Sequence, residues 1–351
     1  MDEKYINWKT EGIIRLGSAA LCLFLLAFTC GCGIFSSVSV EDAEGDGYGG
    51  ENDNLVVVGF SQIGSESVWR TAHTASIQAA LTKENGYFLI FDNARQKQEN
   101  QIKALRSFIS QRVDYIVFSP VTESGWDTVL EEAKEAGIPV ILMDRMVDVE
   151  DDSLYTTWIG PDTEEEGRKA GRWLEEYLKM SGRQKEDINI VVLQGTLSSS
   201  SQRGRSAGFA EIANRYVNWH ILGQRSGEFT VAKGKEVMEQ FLEKYPDIDV
   251  VVSQNDDMTF GAVEAIEESG RKVGRDGGII ILSFDAVKDA LRMVETGQIA
   301  VDVECNPEQG EYLAEVIGIL ERGEKVEKAY VVEEKVFTME NVSKYMNDRS
   351  Y

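Results

Sequence analysis

The sequence predicts an α/β protein made of two similar lobes, each built around a mainly parallel sheet. Three observations carry that reading. From about residue 55 onward, short apolar runs alternate with amphipathic stretches, the pattern of repeated βαβ units. The runs are continuous in apolar character, as expected of strands covered on both faces. One supersecondary plan also occurs twice, in DYIVFSPVTESGWDTVLEEAKEAGIPVILMD (114–144) and DVVVSQNDDMTFGAVEAIEESGRKVGRDGGIIILSFD (249–285). Each copy runs strand, polar turn, helix, glycine, strand, aspartate.

In chain order, VVVGF, YFLIF, DYIVFSP and PVILMD are the strands of the first half. INIVVLQG, a strand around His220, DVVVSQ and IIILSFD follow in the second. Between them SGWDTVLEEAKEAG, TEEEGRKAGRWLEEYLKM and KGKEVMEQFLEKY carry helical patterns. Gly137 closes the first of these helices and Pro139 opens the next strand, the usual punctuation of such a junction. In open parallel sheets ligands collect at the carboxyl ends of the strands. If the two lobes face each other, Asp144 and Asp285 point into one shared cleft.

The N-terminal part is different in kind. MDEKYINWKTEGIIRLG carries three bases and three acids, and SAALCLFLLAFTCGCGIF then runs 18 residues without a charge. A short apolar core followed by small residues is the pattern of an export signal. TCGC resembles the lipobox of bacterial lipoproteins and makes Cys32 the expected lipidated first residue, with 1–32 as signal peptide. The alternative is an uncleaved anchor, since 18 uncharged residues can just span a bilayer. Either way the rest of the chain faces outward. The acidic, glycine-rich stretch 33–54 has nothing with which to bury a core, so it reads as a flexible tether.

Composition narrows the function. The 351 residues carry 60 acids and 36 bases, a net charge of -24, and phosphates repel such a polyanion, so no nucleic-acid partner is expected. Three of the four cysteines lie in the export signal, leaving Cys305 as a small packed hydrophobe. The two histidines, His73 and His220, have no matching ligand partners, so neither a metal cluster nor a serine–histidine nucleophile is supported. GDGYGG follows no strand, and no phosphate-cradling GxxxxGK[ST] occurs. No cofactor is expected.

The residues just past the strands are richer. Ser61, Gln62, Glu66, Trp69, Arg70, Asp92, Asn93, Asp144, Arg145, Arg203, Asn255, Asp256 and Asp285 fall at the same edge of the sheets. Carboxylates that accept from paired hydroxyls, guanidinium forks that donate, and aromatic faces for C–H surfaces together suit a neutral polyol. Taken singly, each aspartate reads more simply as a helix or turn cap. Arg145 could pair with Asp144, and Trp69 and Phe229 could be core aromatics.

GFSQIGSESVWR, QKQENQIKALRSFISQRVDYIVFSPV, AGIPVILMDR, LQGT, SGEFTVAKGKEVMEQF, SQNDDMTFGAVEAI and SFDA, spread in order over about 55–340, resemble the sugar-binding proteins of bacterial ABC transporters. Within them the match is to the galactofuranose-binding branch of the ribose-binding-like family. The resemblance implies the type I periplasmic-binding-protein fold, with two Rossmann-like lobes joined by three crossing strands near Thr157, Cys305 and Tyr330. It divides the chain into an N-terminal lobe of 55–157 plus 305–330 and a C-terminal lobe of 158–304 plus 331–351. It implies ligand contacts at Ser61, Glu66, Trp69, Arg70, Asp144, Arg145, Arg203, Phe229, Asn255, Asp285 and Glu304, with Asp92 and Asn93 added in the galactofuranose branch. The implied role is a monomeric, lipid-anchored receptor that captures a monosaccharide and hands it to a permease, with no catalytic residue. A sensory receptor feeding a membrane histidine kinase would share the same cleft. An extracellular carbohydrate-active enzyme is the rival from another class, and no acid pair stands out for it.

Overall fold

A computed structural model describes residues 55–275 and 277–351. The export signal, Cys32 and the acidic tether lie outside the described residues. Among the described residues no helix is long and apolar enough to cross a membrane.

In the first lobe, strands β1 (Val56–Gln62), β2 (Tyr87–Asn93), β3 (Tyr115–Phe118), β4 (Val140–Met143) and β5 (Thr157–Gly160) alternate with helices α1 (Val68–Ala80), α2 (Gln98–Gln111) and α3 (Asp127–Glu135). In the second, α4 (Thr163–Met180) leads into β6 (Ile188–Gln194), α5 (Ser200–Ala213), β7 (Trp219–Ser226), α6 (Val231–Lys244), β8 (Val250–Ser253), α7 (Asp256–Glu268), β9 (Ile280–Asp285), α8 (Lys288–Glu295) and β10 (Val301–Glu304). The chain then returns as α9 (Gly310–Glu321) and β11 (Ala329–Val331), and goes back once more as β12 (Val336–Phe337).

The strands form two six-stranded sheets, ordered β11-β5-β4-β3-β1-β2 and β12-β10-β9-β8-β6-β7. All pairings are parallel except that of β12 with β10. The chain therefore passes between sheets after β5, after β10 and after β11. The last pass shows β11, through Val331, in the first sheet.

Both sheets are covered on both faces, as continuous apolar strands require. One face of the first sheet meets α2 and α3 through Leu105, Phe108, Ile116, Phe118, Trp126 and Leu130. Its other face meets α1 and α9 through Phe60, Ile77, Ile141, Leu313 and Ile317. The second sheet is sandwiched in the same way, with Leu174, Ile190 and Phe209 on one side and Val251, Met258, Ile281 and Leu291 on the other. Each fully buried large apolar side chain contributes about 1.5–3 kcal/mol. YFLIF departs from the reading of strands buried on both faces. It forms β2 at the sheet's edge, where Phe88 and Phe91 are exposed. An apolar run records propensity, and only the strand order makes it central or marginal.

Candidate functional site

The carboxyl ends of the strands of both sheets converge on a narrow cleft, with about 20 Å³ of room for the centre of a water molecule. Its walls are Glu66, Ser67, Trp69 and Arg70 from the β1–α1 turn, Asp144 and Arg145 after β4, and Ser201 and Arg205 on α5. Phe229, Asn255, Asp285 and Cys305 complete it. Ser67 caps α1 by accepting from the Arg70 amide at 3.0 Å, which starts the helix where its first turn aims Trp69 and Arg70 at the cleft. Asp144, Phe229 and Asp285 all have left-handed backbones, with φ of 60°, 60° and 108°. Such conformations are costly for side chains of this kind, persist where the surroundings over-determine them, and cluster at working sites.

The first-lobe wall is a chain of alternating charges. Arg70 Nε lies 3.2 Å from Glu66 Oε1 and its Nη1 lies 2.8 Å from Asp144 Oδ2, while Arg145 Nε is 3.9 Å from that same oxygen. The Arg70–Asp144 approach lacks hydrogen-bond geometry. Glu66 Oε2, Arg70 Nη1, Asp144 Oδ2 and Arg145 Nε thus have no hydrogen-bond partner despite burial. Burial pushes the Asp144 carboxyl up, but Arg70 and Arg145 outweigh it and hold the group below the usual carboxylate range. Burial, with Arg70 beside it, lowers the Arg145 guanidinium to about 10.

The second-lobe wall centres on Arg205. Its Nε donates to Glu166 Oε2 at 2.5 Å, its Nη2 to Asp285 Oδ1 at 3.2 Å, and its Nη1 to the Gln254 carbonyl. One guanidinium serves two carboxyls, and Glu166 holds it more closely. Burial pushes Asp285 well up; Arg205 pulls it back, and Asp256 and Glu166 push it further up. The turn that aims Asp285 rests on a buried acid pair. Asp302 accepts from the Ala286 amide at 3.2 Å, and Asp256 accepts from Val287 at 2.8 Å and from the Ser283 hydroxyl at 2.5 Å. Burial raises the Asp302 carboxyl above the usual carboxylate range, and Asp285 nearby pushes it the same way.

Aromatic groups close the cavity. Trp69 donates its indole N–H to the Cys305 carbonyl at 2.5 Å and stacks on His73 at 5.1 Å. Phe229 faces the Arg145 guanidinium at 5.3 Å, a contact between the two lobes. Gly195 lies under that ring, and a Cβ there would sit 1.8 Å from Phe229 Cζ, so any side chain at 195 would displace the ring. Behind the cavity Glu166, Cys305 and Glu334, one near each passage between sheets, bring their polar atoms within 4.8 Å of one another. Burial pushes the Cys305 thiol far up, as expected of an unreactive cysteine.

Of the residues expected in the site, Glu66, Trp69, Arg70, Asp144, Arg145, Phe229, Asn255 and Asp285 meet at the cavity. Asn255 also caps α7, accepting from the Met258 amide at 3.0 Å. Five expected residues lie elsewhere. Ser61 is buried and donates to Asp92 at 3.3 Å, and Asn93 accepts from the Arg95 amide at 2.9 Å. Glu304 pairs with Arg349 at 2.8 Å and accepts from the Lys335 amide at 2.8 Å, fastening the C-terminal segment. Arg203 is the largest correction. It stands exposed and pairs with Glu123, and Arg205 occupies the cavity instead. Residues two apart on a helix point about 200° away from each other, so only one of the two arginines can face inward. Ser67, Ser201, Arg205 and Cys305 line the cavity without having been expected there; for Arg205 the signal was the helical phase counted from the Ser199 cap.

Residues 58–325 match the model of the periplasmic binding protein domain. The chain belongs to the periplasmic binding protein family. This periplasmic binding protein is 44% identical over 255 residues to the galactofuranose-binding protein YtfQ of Escherichia coli, covering 72% of this chain and 78% of that one. A Mycobacterium smegmatis protein solved in complex with β-D-fucofuranose is also 44% identical, with a TM-score of 0.80 over 85% of this chain and 96% of the other. The binding component of the arabinose ABC transporter of Shewanella sp. ANA-3, bound to α- and β-L-arabinofuranose, is 44% identical with a TM-score of 0.78, covering 84% and 95%. The type I architecture expected from the sequence is the architecture of these relatives.

Proposed function

We propose that this protein captures a monosaccharide in its furanose form, galactofuranose or a close relative, between its lobes and delivers it to an ABC transporter permease. The observation that carries this reading is the set of four buried polar atoms without a hydrogen-bond partner, on Glu66, Arg70, Asp144 and Arg145, of which Arg70 Nη1 and Asp144 Oδ2 are held only by their mutual ion pair. Leaving such groups unsatisfied costs about 1–3 kcal/mol each, and ligand hydroxyls that both donate and accept would supply what is missing. The charges favour a neutral ligand. Glu66 and Asp144 balance Arg70 and Arg145, and Glu166 balances Arg205. Trp69 and Phe229 bring aromatic carbon to the cavity wall, which suits the C–H side of a sugar ring. The furanose choice draws on the relatives named with galactofuranose, fucofuranose and arabinofuranose. The lobes close by rotation about the three passages between sheets, and sugar favours closure as far as it contacts that state better. Nothing in this role requires chemistry on the ligand.

Calorimetric titration of the protein, freed of bound sugar, against galactofuranose, arabinofuranose, galactopyranose, ribose and glucose tests the proposal. One-to-one binding of a furanose recovered unchanged is the expected result. No heat with either furanose, or conversion of the sugar, would overturn it.

The protein acts outside the cytoplasmic membrane, as a monomer held by a lipid on Cys32 and tethered through 33–54, an arrangement that raises its effective concentration at the permease. Labelled palmitate should enter the wild type and not Cys32→Ala; equal labelling of both would remove the anchor from the proposal.

A further inference from the structure

One of the expected site residues that the cavity does not use, Arg203, joins a second set of contacts between the lobes. The loop between β6 and α5 turns through Ser198, whose φ is 64°. That turn presents the Ser198 carbonyl to the first lobe, where it accepts from the Glu123 amide at 3.1 Å. Two residues on, the Ser200 hydroxyl accepts from the Met146 amide at 3.0 Å. One helical turn further, the Arg203 guanidinium pairs with the Glu123 carboxylate. All three contacts join the β6–α5 region of the second lobe to loops that follow β3 and β4 in the first.

These contacts are physically continuous with the cavity. Arg145 donates to the Val121 carbonyl at 3.0 Å, two residues before Glu123. The Glu123 carbonyl accepts from the Asp148 amide at 2.7 Å, which ties the two first-lobe loops together. On the other lobe, α5 carries Arg205 into the cavity and Arg203 onto the rim. A movement of α5 that withdraws Arg205 from the cavity therefore also withdraws Arg203 from Glu123.

We propose that Glu123 and Arg203 form a rim latch, made only when the lobes are closed, that sets how long the protein holds its ligand. The proposal rests on the reading that the lobes close over a sugar. The latch touches no ligand, so it acts on the balance between closed and open states and not on recognition. Interactions present in only one state shift its population, and a change confined to the closed state appears mainly in the release rate. Arg203 is largely exposed, so the pair is a modest lever by itself. Reversing one charge adds repulsion to the loss of attraction.

The test is a charge-reversal cycle on the full protein, read in two ways. Distances between a spin label on one exposed position of each lobe report closure, with and without galactofuranose, and rapid mixing reports sugar release. R203A should speed release about two- to fivefold, and R203E on the order of five- to tenfold, with a matching loss of the short-distance population. The swapped pair E123R/R203E should return both readouts to within about twofold of wild type. Unchanged release and distances in R203E, or a swapped pair no better than R203E alone, would overturn the latch. Should the wild type bind no sugar, the ligand reading fails while the sugar-free distances still decide the latch. A short-distance population that R203E reduces supports it; one that R203E leaves intact, or one that is missing from the wild type, overturns it.

Discussion

Replacing Arg205 with methionine is expected to destabilise the protein by about 3–5 kcal/mol and to abolish sugar binding. Arg205 is buried with its guanidinium divided among Glu166, Asp285 and the Gln254 carbonyl. Methionine fills much of the same volume but leaves Glu166 buried with no counter-charge, and removing one partner of a buried pair costs about that much. The double variant Arg205→Met/Glu166→Gln separates the causes. It should regain part of the stability, since no buried charge is stranded, and none of the binding, since the cavity still lacks its guanidinium. Chemical unfolding followed by circular dichroism, with calorimetry for the sugar, reads both. A single variant within about 1 kcal/mol of wild type would show that water reaches Glu166 and that the pair is not dry.

Arg145→Ala should weaken sugar binding by about 100- to 1000-fold while leaving the fold intact. Arg145 is held by Phe229 from the opposite lobe and by the Val121 carbonyl, and its Nε is left without a partner. A charged donor lost from a buried polar site is worth about 1.5–3 kcal/mol, and the partner groups it strands add to that. The same group sets a limit in pH. Burial and Arg70 bring its pKa down to about 10. A sugar oxygen accepting from Nε favours the charged form, so binding draws a proton onto Arg145 where that proton is otherwise lost. Affinity should therefore hold below about pH 9 and decline as pH rises through about 10, and the decline should disappear in Arg145→Ala. Titrations at pH 8, 9 and 10 check this; equal affinities at all three would mean that Arg145 keeps its proton throughout, and the Arg145→Ala affinity then decides the contact by itself.

The strands that carry the lobes were readable wherever they lie central and apolar. β3, β4, β8 and β9 are buried along their whole length. β10 is just as buried, yet its sequence is VDVE, because Asp302 serves the Ala286 turn and Glu304 serves Arg349. That alternation reads as a half-exposed strand, and only the tertiary partners of Asp302 and Glu304 let both faces be buried. β11 and β12, with three and two residues, are too short to give one. In the site, residues fixed by a strand end, such as Asp144 and Asp285, could be placed from the chain order of the strands. Arg205 depended on helical phase, where a shift of two residues exchanges inside for outside. Ser61, Asp92 and Glu304 lie outside the cavity wall for another reason: a polar residue at a strand end can be satisfied by a neighbouring strand or by the C-terminal segment as well as by a ligand.

The hydrogen bond from the Trp69 indole to the Cys305 carbonyl has an optical consequence. That indole stacks on His73, lies 4.6 Å from the Arg70 guanidinium and forms part of the cavity wall. Indole emission responds to charge, stacking and hydration, so the protein carries its own lamp at the place where occupancy changes. Of the chain's six tryptophans, Trp69 is the one in the cavity wall, so the difference in indole fluorescence between wild type and Trp69→Phe should follow loading and unloading without any dye.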